Sequence, residues 1–186
     1  NHTAATFRGL RGQLTSSYQM TGGYYKDNSG LGQASKVEIE HKLNTYNYIT
    51  KLPIILEENG YHTYFQASNS IDAPLSLMLS TLKFNYIYGR EDYNKKSGEL
   101  TDKESFDLLF KKLNEAKQPF FYGVYTVGTH LGLDSPDVKF HDGRNEYLNH
   151  FHQLDHWFGD FISHFNKTSL SKDTIVIITS DHASYP

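Results

Sequence analysis

Apolar segments of two different periods alternate along this chain, and that alternation restricts it to few architectures. From Leu52 onward a short helix, an apolar strand and a turn recur in kind though not in sequence. Pro53 suits the first turn of a helix carrying Ile54, Ile55 and Leu56, and Gly60 stands at a C′ position. Tyr61 to Ala67 reads as a strand, Pro74 to Leu82 as a helix and Phe84 to Tyr88 as a second strand. Thr101 and Glu104 form a capping box ahead of Phe106, Leu109, Phe110 and Leu113, which recur at i, i+3, i+4 and i+7. Pro119 to Val127 predicts a buried strand. Asn145 to about Phe165 predicts a long amphipathic helix, with Tyr147, Phe151, Leu154, Phe158, Phe161 and Phe165 on one buried stripe. Asp173 to Thr179 is apolar on both faces, as central parallel strands are, and is expected to be the last strand. A helix from Thr6 to about Tyr18 and a loop around Gly22, Gly23, Gly30 and Gly32 precede this pattern. The expected class is α/β, a mainly parallel sheet with helices on both faces.

Composition narrows what such a domain can do. The 186 residues suit one domain, 1–186, and 38% hydrophobic with 15% aromatic residues is ample for a core. Eighteen Lys+Arg against 21 Asp+Glu leave a net charge of −3, so no nucleic-acid partner is expected. No cysteine is present, which excludes disulfides, thiolate zinc sites and a cysteine nucleophile. The longest aliphatic run, Ile175 to Ile178, is far below the roughly 20 apolar residues of a membrane span.

In parallel sheets, ligands collect beyond the carboxyl ends of the strands. Two strands here end in suitable polar groups: one runs into Thr129 and His130, the other into Ser180, Asp181 and His182. Asp181 with His182 offers a hard carboxylate oxygen and an imidazole nitrogen, a mixture suited to zinc or manganese. The alternative is a helix-capping Asp181 beside an exposed loop histidine. His152 and His156 have the spacing of a helical metal pair but lack the adjacent glutamate of a zinc-protease motif, and a solvated helix face accounts for them.

Several segments, in order, match one known pattern: Thr6-Phe7-Arg8-Gly9, Gly60 to Phe65, Phe84 through Asp92, Pro119-Phe120-Phe121 leading to Thr129-His130, Tyr147-Leu148 through Asp155 and Gly159, and Asp173 through His182. Together they resemble the sulfatase-like branch of the alkaline phosphatase superfamily, and within it the bacterial phosphoglycerol transferases and lipoteichoic acid synthases. The resemblance implies an alkaline-phosphatase-like fold. It makes Thr6 the nucleophile, its hydroxyl bound to a divalent metal that Asp181 and His182 also hold, with manganese or zinc as the ion. It gives His130 contact with the transferred group or its leaving oxygen. Read from the residues alone, the structural alternative for Thr6 is a helix N-cap, and Arg8 and Arg11 either neutralise a phosphate or are solvated.

The same pattern selects among chemistries. Sulfatases need a Cys or Ser in a Cys/Ser-x-Pro-x-Arg setting, and this sequence contains none. Lipid A phosphoethanolamine transferases share the threonine but are stapled by disulfides, which are impossible here. The resemblance therefore implies phosphoryl transfer through a phosphothreonine, moving glycerol phosphate from a phospholipid donor to an envelope glycan or lipid acceptor. It implies the outer side of a bacterial cytoplasmic membrane and a membrane-anchored parent protein.

The family also carries an acidic metal ligand upstream of the threonine and strands downstream of the Asp-His pair, so the chain is expected to be one partial catalytic domain, incomplete at both ends and weakly active or inactive. An exposed sheet edge is then expected to favour association with another chain. A phosphodiesterase, phosphomonoesterase or sulfatase-type hydrolase is the competing enzyme reading. A non-catalytic carbohydrate-binding domain, using Tyr18, Tyr24, Tyr25, Tyr46 and Tyr48, is the competing reading of another class.

Overall fold

The computed structural model describes residues 6–16, 50–130, 132–133 and 135–182, and of Arg8 only the backbone. The tyrosines at 18, 24, 25, 46 and 48 and the glycines at 22, 23, 30 and 32 lie outside the described residues.

Helix α1, Thr6–Thr15, buries Leu10 and Leu14, four residues apart on one face. Helix α2, Leu52–Glu58, starts with proline in its first turn, and Gly60 beyond its cap takes φ +85°, the left-handed region that glycine tolerates. Strand β1, His62–Gln66, follows directly. Helix α3, Pro74–Ser80, precedes strand β2, Tyr86–Tyr88, and a 3₁₀ turn at Arg90–Tyr93. The capping box forms as the sequence predicts. The Glu104 N–H donates to Thr101 Oγ1 at 3.2 Å, and the Thr101 N–H donates to Glu104 Oε2 at 2.8 Å, starting helix α4, Asp102–Glu115. Strand β3, Phe120–Val124, and helix α5, Glu146–Phe165, come next, and Asn145 Oδ1 caps α5 by accepting from the Leu148 N–H at 3.0 Å.

The three strands form one parallel sheet in the order β2-β1-β3, with Tyr64 opposite both Tyr86 and Tyr122. Strand periodicity sends alternate side chains to opposite faces. Phe121 and Tyr125 join Phe65, Phe84, Leu10, Leu14, Leu75 and Met78 on the face covered by α1 and α3. Phe120, Tyr122 and Val124 meet Phe106, Leu109 and Leu113 of α4 and Phe161 and Phe165 of α5 on the other. Helices on both faces of a parallel sheet are the expected class. Each fully buried side chain of this size stabilises by about 1.5–3 kcal/mol.

Two expectations need correction. Tyr147 and Phe151 are both 45% exposed, so the apolar stripe of α5 meets the core only from Leu154 onward. The first half of the helix buries Asn149, His150 and Gln153 instead, because its partner there is loop backbone and not side chains. Asp173 to Thr179 is not a strand: among the described residues no strand pairs with it, and Ile175, Ile177 and Ile178 are 87%, 80% and 74% exposed. Apolar composition makes a central strand only where neighbours supply hydrogen bonds and cover both faces.

Candidate functional site

Beyond the carboxyl ends of β1 and β3 the backbone rests on buried polar side chains. The Tyr125 N–H donates to the Gln66 carbonyl at 2.9 Å, extending the β1–β3 ladder by one residue. Ser68 Oγ donates to the Tyr125 carbonyl at 2.8 Å, and Gln66 Nε2 donates to the Ser105 carbonyl at 2.8 Å. These bonds hold Tyr125 at the sheet's end, where its hydroxyl stands 3.2 Å from Thr6 Oγ1 at the start of α1.

The same helix lies against the chain at 180–181. Gln13 Nε2 donates to the Ser180 carbonyl at 2.7 Å. Gly9 packs on the Asp181 carbonyl so closely that a Cβ at this position would overlap it. Asp181 Oδ1 accepts from the His182 N–H at 2.9 Å. Asp181 Oδ2 is buried with no hydrogen-bond partner and lies 3.6 Å from His182 Nε2. Tyr125 connects the two groups: burial raises its pKa above the usual phenol value, the Thr6 hydrogen bond opposes the rise, and the charges of Asp181 and Glu99 add to it. Thr6, Tyr125 and Asp181 therefore share one neighbourhood, with His182 beside Asp181.

His130 is exposed, on the turn that leaves β3, and its N–H donates to the Val127 carbonyl at 2.8 Å. Arg11 is 5% exposed and so is not a solvated surface arginine. Glu99 sits next to Leu100, whose N–H donates to the Ser68 carbonyl at 2.7 Å. Burial raises the Glu99 carboxyl above its ordinary range, against the pull of Arg90 and Lys95, and its Oε2 has no hydrogen-bond partner. The rings of His152 and His156 lie edge-on against Phe140 and Trp157, at 5.8 and 4.8 Å.

The donor chemistry around Asp181 suits a divalent ion: a buried carboxylate oxygen without a hydrogen bond, an imidazole nitrogen beside it and a hydroxyl on the adjoining helix. Among the described residues no group of three or more His, Asp or Glu converges to hold a metal. The carboxylate and imidazole found side by side are those of Asp181 and His182.

Sequence reasoning missed Tyr125, Asp102 and His150. Tyr125 is hidden in an apolar strand run, and Asp102 reads as the first residue of a helix. The one available signal for His150 was polar spacing, because Asn149, His150 and Gln153 sit at i, i+1 and i+4 beside an apolar stripe.

A parallel sheet covered by helices on both faces, with polar groups gathered past the strand ends, defines an α/β domain of the alkaline-phosphatase-like kind. The Sulfatase family model matches residues 3–186, and the chain belongs to the sulfatase family of enzymes. Lipoteichoic acid synthase LtaP from Listeria monocytogenes has a similar structure, with a TM-score of 0.63 at 20% identity over 88% of this chain and 40% of that one. A protein in the alkaline phosphatase superfamily from Vibrio parahaemolyticus is equally similar, with a TM-score of 0.63 at 19% identity over 89% of this chain and 40% of that one. The chain thus spans 40% of the length of each of these two proteins. No curated protein matches it.

Proposed function

We propose that this chain is part of a metal-dependent phosphotransferase in which Thr6 attacks phosphorus and carries the group as a phosphothreonine. The observation that carries the reading is the neighbourhood of Thr6, Tyr125 and Asp181: a hydroxyl on a helix start, bonded to a phenol that feels a buried carboxylate. The amino end of an α-helix such as α1 favours an anion. Asp181, His182 and the Thr6 hydroxyl would hold the divalent cation, manganese or zinc, which supplies a lowered hydroxyl pKa and charge neutralisation. Thr6 Oγ1 gives its proton to solvent water as it bonds to phosphorus and the P–O bond to the lipid leaving group breaks; the Tyr125 hydroxyl, 3.2 Å away and protonated at neutral pH, donates to the Thr6 oxygen during the step. His130 meets the transferred group and protonates the leaving oxygen.

The transferred group in this reading is glycerol phosphate, from a phospholipid to an envelope glycan or lipid on the outer side of a bacterial cytoplasmic membrane. Resemblance to lipoteichoic acid synthases supports that choice. With water as acceptor the same site is a phosphodiesterase.

Mass spectrometry after incubation with a phosphatidylglycerol vesicle and manganese tests the nucleophile: a glycerol-phosphate adduct is expected on Thr6 and lost in Thr6→Ala. An adduct elsewhere, or metal binding by calorimetry that survives Asp181→Asn, overturns the assignment. Product analysis with and without a glycan acceptor separates transfer from hydrolysis.

A further inference from the structure

The loop from β3 to α5 carries His130, and α5 holds this loop through its buried polar face. Gln153 Oε1 accepts from the Asp137 N–H at 2.7 Å, and Asn149 Oδ1 accepts from the Phe140 N–H at 2.9 Å. Asn149 Nδ2 donates to the Gly143 carbonyl at 2.8 Å. The first attachment is the tightest. His150, 1% exposed, has Nδ1 2.5 Å from the Gly128 carbonyl oxygen. A carbonyl only accepts, so Nδ1 carries a proton. The ring's Nε2 is buried and has no hydrogen-bond partner.

On the other side of the same residue, the Gly128 N–H donates to Oδ1 of Asp102, a 0%-exposed side chain at the start of α4. Any Cβ at 128 would overlap that carboxylate. Both polar backbone groups of Gly128 therefore end on buried side chains from two different helices. Two residues later the His130 N–H closes the turn on Val127. An apolar side chain at 150 would fill the same volume but take this donor away from the buried Gly128 carbonyl, so the need for an imidazole lies in the Nδ1 bond.

We infer that His150 is a positioning residue: with Asp102 it clamps Gly128 and so sets the direction in which Thr129 and His130 leave the sheet. Its value to chemistry rests on the proposed role of His130, whereas the clamp itself does not.

Asparagine places an amide donor near the Nδ1 position and glutamine places one near Nε2, so the two variants separate the nitrogens. Long-range ¹H–¹⁵N spectra of the chain should show the His150 proton on Nδ1. Amide exchange at Gly128 and His130 should stay within about threefold of the original in His150→Asn and accelerate by about tenfold or more in His150→Gln, with α4 amides unchanged in both as a control for folding. With bis(p-nitrophenyl) phosphate and manganese, His150→Gln should lower kcat at unchanged KM and His150→Asn should restore it. An Nδ1 without a proton, or equal acceleration in the two variants, overturns the clamp. If His130→Ala leaves turnover intact, the proposed role of His130 fails while the exchange measurement still decides the clamp.

Discussion

Thr6 Oγ1 and the Tyr125 hydroxyl stand 3.2 Å apart across 119 residues of sequence, joining the first described helix to the end of the central sheet. Tyr125→Phe removes one partly buried hydrogen bond and should cost about 0.5–1.5 kcal/mol in denaturant unfolding. Phosphodiester turnover should fall more than stability does, because the hydroxyl paired with the Thr6 oxygen is lost. Unchanged turnover would remove Tyr125 from the chemistry.

Two glycines in helices should respond in opposite directions to alanine. Gly159 in α5 has open space where a Cβ would go, and Gly159→Ala should stabilise by up to about 1 kcal/mol. Gly9→Ala has the same helical preference, but its Cβ overlaps the Asp181 carbonyl, and overpacking of about 1–3 kcal/mol outweighs it. Thermal melts of the pair check the sign, and metal calorimetry on Gly9→Ala reads the displacement of Asp181.

The tyrosines of the sheet give an alkaline limit. Tyr64 stacks on Tyr86 at 5.1 Å and on Tyr122 at 5.5 Å, with Lys112 Nζ 4.6 Å from the centre of the Tyr88 ring. Burial, then the neighbouring phenols and carboxylates, push Tyr88 up to about 12 from 10.0, and burial raises Tyr122 further. The folded state then keeps protons that the unfolded chain releases, so stability is intact below pH 10 and declines as pH rises toward about 12. Melts at successive pH values, with phenolate absorbance followed in parallel, should show this decline, and Tyr122→Phe should shallow it.

Ile177 and Leu79 are both aliphatic, yet 80% and 0% exposed. Ile177→Lys should change stability by no more than about 0.5 kcal/mol, whereas Leu79→Ala should cost about 2–5 kcal/mol.

What could be read from the residues was what short-range physics decides. Thr101 and Glu104 lie three apart and cap each other, so α4 is legible where it starts. Pro53 and Gly60 bracket α2 for equally local reasons. Periodicity says which side chains share a face but not what covers that face, and so Tyr147 and Phe151 were misassigned while Asn149 and Gln153 found loop backbone. Ile175 to Ile178 has the composition of a central strand, but pairing depends on a neighbour the segment itself does not specify. Within the site, Asp181 and His182 stood out because they are adjacent, whereas the Tyr125 contact with Thr6 depends on a long-range fold that no local pattern encodes.

Helix α5 changes character midway, from amides and an imidazole that each grip a named peptide group to phenyl rings that accept many neighbours. Rings alone would tolerate a slip of one turn, about 5.4 Å, with modest loss of contact. The amide half would not, because Asn149, His150 and Gln153 would each face the wrong peptide and strand several buried dipoles at once. Cohesion therefore comes from one end of the helix and its address from the other, so apolar repacking near Phe161 should leave the helix in register, whereas removing Asn149, His150 and Gln153 together would take away the polar bonds that hold it there.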